Sequence, residues 1–170
     1  MRSAGYSLIY LGFGYGLVCA VGLVRGALAP ARSGPPIPAA SIGLALAALG
    51  SVAVLGSLWL DWITGVGRQS RVPVTLSGWT GLDALSLGAI VLVAGAIVGA
   101  GARRPTDLGA MVGGGACLVA LVVGNGLVQA TAPGGSRVAV GFVVGGTAAT
   151  VVFGGALLAA RRGSERHARS

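Results

Sequence analysis

The chain is 170 residues long, 54% hydrophobic and only 9% charged, with a formal net charge of +8 from 12 basic residues against four acidic ones. Soluble domains carry about 25% charged residues, so a soluble fold of this size could not hide so much apolar surface, and the mean hydropathy of +0.86 assigns that surface to lipid. All the basic residues are arginine, spread over short connections and ends without aromatic interleaving, which excludes a nucleic-acid footprint; with abundant Ala, Gly and Val, this looks like the coding bias of a GC-rich, actinobacterial genome.

Five apolar stretches follow one another: Tyr6–Val24, Ala39–Leu60, Ala84–Ala102, Leu108–Ala130 and Val138–Ala160. Each has the length a helix needs to cross a hydrocarbon core of about 30 Å at about 1.5 Å per residue. The expected class is all-α: a polytopic membrane bundle of five transmembrane helices, with a short β-hairpin in an outer loop. Residues 1–162 form one membrane domain and residues 163–170 a frayed cytoplasmic tail.

The first stretch competes with a signal peptide, since Arg2 and an apolar run lead to Ala27-Leu28-Ala29. Pro30 directly after such a cut disfavours cleavage, so a retained helix is expected. Cys19 here and Cys117 in the fourth stretch both fall inside apolar segments, where a disulfide is the less favoured reading and small apolar packing residues the expected one. A Pro-rich connection, Arg25–Pro38, leads into the second stretch.

The loop after that stretch is the richest part of the chain. It holds all three tryptophans, Trp59, Trp62 and Trp79, two of the four acids, Asp61 and Asp83, and Arg68 and Arg71. Arg71-Val72-Pro73-Val74-Thr75-Leu76 alternates as a strand does, and Gly65, Gly67 and Ser70 suit a preceding turn, so a hairpin lying over the bundle is expected. Two readings stay open. Tryptophan prefers the membrane interface, which makes the loop a solvated aromatic belt. Alternatively, these seven residues form an interaction site, with Asp61 or Asp83 pairing an arginine; Asp83 equally suits the N-cap of the third helix.

Arg103-Arg104-Pro105-Thr106-Asp107 reads as a helix stop and restart, with Thr106 as N-cap and Asp107 favouring the positive helix terminus. In the fourth stretch Asn125 and Gln129 are four apart and share a face; they serve interhelical hydrogen bonding or line a small polar vestibule. Pro133-Gly134-Gly135 reads as a turn. In the fifth stretch Thr147 and Thr150 can bond back to their own helix. Five i, i+4 glycine pairs (Gly12/Gly16, Gly22/Gly26, Gly95/Gly99, Gly109/Gly113, Gly141/Gly145) permit close helix contact, but about six are expected by chance, so they indicate tight packing in general and no particular face.

Positive-inside bias orients the bundle. Arg103–Arg104 and the tail Arg161–Arg162, Arg166 and Arg169 lie on one face only if Thr131–Arg137 and Asp61–Asp83 are outside. The N-terminus is then outside, with eight arginines inside and four outside. No Asp, Glu, Lys, Arg or His sits at the middle of any stretch, and such groups are the usual mark of ion-coupled transport. The only histidine, His167, is in the tail, no Cys/His spacing suits a metal, and no paired carboxylates sit in a plausible pocket. An enzyme, a cofactor and a metal site are therefore not expected.

The pieces Ser57-Leu58-Trp59-Leu60-Asp61-Trp62, Ser77-Gly78-Trp79 and Asp83 carry a likeness. Across its second to fifth stretches the chain resembles small actinobacterial four-helix membrane proteins, in which a Ser-x-x-Leu-Pro-Trp-like helix end, a short outer loop, Ser-Gly-Trp and an Asp open the next helix. Here Asp61 stands where that pattern often has Pro, and the first stretch is additional. The resemblance implies topology and supplies no activity. The expected role is an accessory or structural subunit in the plasma membrane, packing against a larger complex or itself, with lipid as its solvent. The alternative is a transporter or channel component for a small solute, with Arg68 and Arg71 attracting an anion past Asn125 and Gln129.

Overall fold

The computed structural model describes residues 2–28, 41–66, 73–78, 105–130 and 137–167. Four helices and three strands lie among them: α1 (Arg2–Leu28), α2 (Ser41–Ser57), β1 (Asp61–Val66), β2 (Pro73–Ser77), α3 (Pro105–Ala130), β3 (Arg137–Val138) and α4 (Val140–His167). The third apolar stretch, Ala84–Ala102, and the tip of the hairpin lie outside the described residues. Two of the described helices, Gly109–Gln129 and Val140–Arg161, are long and apolar enough to cross a membrane, and Ile42–Ser57 is a shorter apolar helix. The expected five spans are thus matched only as far as four helices, two of which meet that test.

The helices pack as antiparallel neighbours. α1 lies on α3, α2 on α4, and α3 and α4 join the two pairs. Glycine sets how close they come. A Cβ on Gly5 would lie 2.8 Å from the Gly124 carbonyl oxygen, and one on Gly124 would lie 2.8 Å from that of Gly5. Between α2 and α4, a Cβ on Gly155 would lie 2.7 Å from the Gly43 carbonyl oxygen. Only a missing side chain lets backbones approach this closely. The contacting glycines on α1 and α2 are seven apart, Gly5 with Gly12 and Gly43 with Gly50. Of the i, i+4 pairs, Gly22 and Gly109 meet nothing within 4 Å.

Two apolar clusters fill the interior. One holds Val54, Leu58, Trp62, Ile63, Leu118, Leu121, Val122, Ala148, Ala149 and Val152. The other, toward the start of α2 and the end of α4, holds Leu44, Ala47, Met111, Ala156 and Ala159. Large apolar side chains also point outward from the helices, among them Tyr10 (72% exposed), Val18, Leu49 and Val143.

The sheet closes one end of the bundle, with strand order β2-β1-β3 and both pairings antiparallel. The expected hairpin is present, but its first strand begins at Asp61, within what read as a helix end, and β3 was not expected. Three boundaries move. α2 stops at Ser57, not Leu60, because its last turn tightens: Leu58, Trp59 and Leu60 donate backbone N–H to the carbonyls of Leu55, Gly56 and Ser57. α3 begins at Pro105, a residue suited to the first helical position because it has no N–H to leave unpaired, so Thr106 falls inside the first turn and is not the cap. α4 begins at Val140 and continues to His167, so the tail is helical that far. The Ala-rich run Ala156–Ala160 propagates the helix.

Candidate functional site

The sheet end of the bundle is organised around Trp62. In the β1–β2 pairing Asp61 opposes Ser77 while Ile63 opposes Leu76, so Trp62 is the extra residue of a β-bulge. A bulge bends its strand and breaks the in-out alternation, and here Trp62 and Ile63 are consecutive yet both buried. The indole enters a slot that glycine opens. A Cβ on Gly141 would lie 2.6 Å from Trp62 Cδ1, one on Gly145 would lie 2.7 Å from Cζ2, and one on Gly78 would lie 3.0 Å from Nε1. The Phe142 ring meets the indole edge-on, with centroids 5.8 Å apart and planes at 85°.

The polar edge of the indole is also used. Trp62 Nε1–H donates to the Ser57 carbonyl at 2.7 Å. That carbonyl belongs to the last residue of α2 and also accepts from Leu60 N–H at 3.0 Å, so the indole is its second donor. Ser57 Oγ donates to the Val54 carbonyl at 2.7 Å. On the other side, Ala139 N–H donates to the Trp62 carbonyl at 2.9 Å, one residue before α4 begins. One residue therefore ends α2, interrupts β1 and fixes the entry to α4.

The expected loop site divides accordingly. Trp62 is a core anchor, fully buried, and not a surface contact as its loop position suggested; the bulge turns it inward. Trp59 is 65% exposed, and Asp61 is exposed beside it on the outer side of the cap. Arg68, Arg71, Trp79 and Asp83 lie outside the described residues. Arg137, on β3 opposite Thr64, joins the exposed set and was not singled out.

Asn125 and Gln129 differ in burial. Asn125 is 2% exposed, and its Nδ2 has no hydrogen-bond partner among the described residues. Its neighbours in sequence fix its surroundings: Gly124 meets Gly5, Leu8 and Ile9 of α1, and Gly126 meets the Phe142 ring of α4. Gln129, one turn on, is half-buried. Thr147 and Thr150 bond back to the carbonyls of Val143 and Gly146, each at 2.9 Å, as their place on a helix suggested. Among the described residues no group of three or more His, Cys, Asp or Glu could hold a metal ion.

The sequence did not show the glycine slot for Trp62 or strand β3, and it disfavoured the approach of Cys19 to Cys117 that the helix packing produces. Gly141/Gly145 was visible as a pair, but nothing local tied it to a tryptophan some eighty residues earlier. The chain matches no protein-family model, no curated protein and no solved structure. The site is therefore read from its own chemistry: an indole-anchored platform that presents an exposed tryptophan and a carboxylate, over an interior closed by glycine contacts.

Proposed function

We propose that this chain is a multi-pass protein of the plasma membrane that serves as an accessory or structural subunit. It would dock to a larger membrane complex, or to itself, through the cap bearing Trp59 and Asp61. The carrying observation is the combination of outward-facing apolar side chains on the helices with backbone-close glycine packing between them. Soluble monomers rarely expose contiguous apolar patches above a few hundred Å², whereas lipid accepts them. No Asp, Glu, Lys, Arg or His sits at the middle of an apolar stretch, so an ion-coupled step is not part of this reading.

The finer topology follows from the arginines and is supported by the packing. The start of α1 meets the end of α3 at Gly5 and Gly124, and β3 joins the sheet formed by the loop after α2. The N-terminus, the cap and the α3–α4 connection thus share one face, which we assign to the outside, with the C-terminus cytoplasmic. We assign a fifth span to residues 84–102 on their apolar length alone. The seating of α1 along α3 favours its retention over cleavage.

The second reading, a small-solute transporter or channel component, draws on the orphaned Asn125 amide, a donor waiting for an acceptor. Its enclosure by α1 and α4 contacts counts against a continuous path. The deciding experiment is purification of the tagged full-length protein in mild detergent, with mass spectrometry of stoichiometric companions. A partner, or a second copy, retained by wild type and lost on Trp59→Ala and Asp61→Asn is expected. Recovery of a lone monomer from cross-linked membranes would sink the subunit reading.

A further inference from the structure

Cys19 on α1 and Cys117 on α3 both carry free thiols and both are half-buried. The two side chains lie within interaction range of each other. The surrounding backbone explains why they meet. Gly12 packs on the Cys117 carbonyl, where a Cβ would lie 2.9 Å away, and the Cys19 Sγ lies 3.0 Å from where a Cβ on Gly113 would sit. Gly113 is one helical turn before Cys117, so Cys19 lies over the same face of α3. Cys117 is two residues from the midpoint of the apolar span Gly109–Gln129, about 3 Å along the helix axis.

We propose that Cys19 and Cys117 are a redox pair that closes to a disulfide bridging α1 and α3. The oxidant must be lipid-soluble, because the sulfurs sit near the middle of an apolar span, and the class that fits is a quinone. Both Sγ–H bonds break and one Sγ–Sγ bond forms. The two electrons and two protons reduce the quinone to its hydroquinone. Neither cysteine is fully buried, which leaves such a molecule a route to the pair. The bridge would clamp α1, the helix with a signal-peptide-like sequence, to the rest of the bundle. Two well-placed thiols in one chain favour closure within the molecule over cross-linking between molecules.

The inference rests on the membrane reading, and carbonate extraction of the same membranes tests that part separately. The direct test treats membranes holding the full-length protein with duroquinone, whose fully substituted ring cannot alkylate thiols. Expected are loss of both maleimide-reactive thiols after denaturation, a mass decrease of about 2 Da, and full reversal by reductant. With a protease site inserted at Gly34, the α1 fragment should stay attached after cleavage and separate only on reduction. Cys19→Ser and Cys117→Ser should each abolish closure and release the fragment without reductant. Retention of both free thiols in membranes where the protein resists carbonate would overturn the proposal, as would closure by diamide but not by the quinone.

Discussion

Trp59 and Trp62 are three residues apart in one motif, and their surroundings are opposite. Trp62 fills a glycine slot, caps α2 and touches Phe142, while Trp59 is largely exposed. Removing a buried tryptophan leaves a cavity, so Trp62→Ala should cost about 3–5 kcal/mol, read as a lowered midpoint in detergent-solubilised unfolding followed by circular dichroism. Trp62→Phe keeps most of the packing and loses the donor to Ser57, so a loss nearer about 1 kcal/mol is expected. Trp59→Ala should stay within about 0.5 kcal/mol, as exposed substitutions do, and act on partner retention instead. Asn125 offers the reverse experiment. Replacing an unmatched buried amide by an apolar group of similar size removes a desolvation penalty of about 1–3 kcal/mol, so Asn125→Leu should leave stability unchanged or raise it. A clear loss in the same unfolding assay would show that the amide has an acceptor it depends on.

At the scale of helices, the glycines separate into those that permit contact and those that do not. A methyl group on Gly43 or Gly145 would press on Ala159 or on Trp62, within 2.6 to 2.7 Å, and overpacking of that kind costs about 1–3 kcal/mol. Gly154 on α4 meets nothing within 4 Å. There the methyl group only improves helix propensity, so Gly154→Ala should gain up to about 1 kcal/mol. A thermal-stability series in one detergent decides whether the sign changes between these sites. The helices were legible because lipid-length apolar runs are a local signal, and β2 was legible because Pro73–Leu76 alternates. β1 was not, since Leu60-Asp61-Trp62-Ile63 reads equally as a helix end, and what holds Trp62 inward is its slot on Gly141 and Gly145 of α4, a contact between distant parts of the sequence. β3 has two residues, too few for any period, and it pairs with Ile63 and Thr64, far away in the sequence. The thiol contact was hidden for the same reason: it depends on the register of α1 against α3.

For the molecule as a whole, arginine placement and helix packing agree on which ends lie together. The cap, the start of α1 and the start of α4 form one end, and the basic tail extends from the other. In a variant carrying Cys19→Ser and Cys117→Ser, Ser70→Cys should react with an impermeant maleimide in intact cells, and Ser164→Cys only after lysis. The opposite labelling would invert the bundle and move the cap to the cytoplasm. Quinone-driven closure, by contrast, should be insensitive to inversion, because the sulfurs sit near the middle of the span.

The central position of β1 has a bearing on how the protein is made. Its hairpin with β2 joins residues close in sequence and can form as soon as that loop is delivered. Its other edge pairs with Arg137–Val138, which are synthesised much later. Until then β1 presents open N–H and C=O groups, the kind of edge that recruits any strand nearby. Contacts between distant parts of the sequence form late because loop-closure entropy must be overcome first. The last helix therefore docks onto a template that has been waiting since the second emerged. Capture of β3, with Ala139 bonding to the Trp62 carbonyl, is the event that completes assembly and removes the exposed edge.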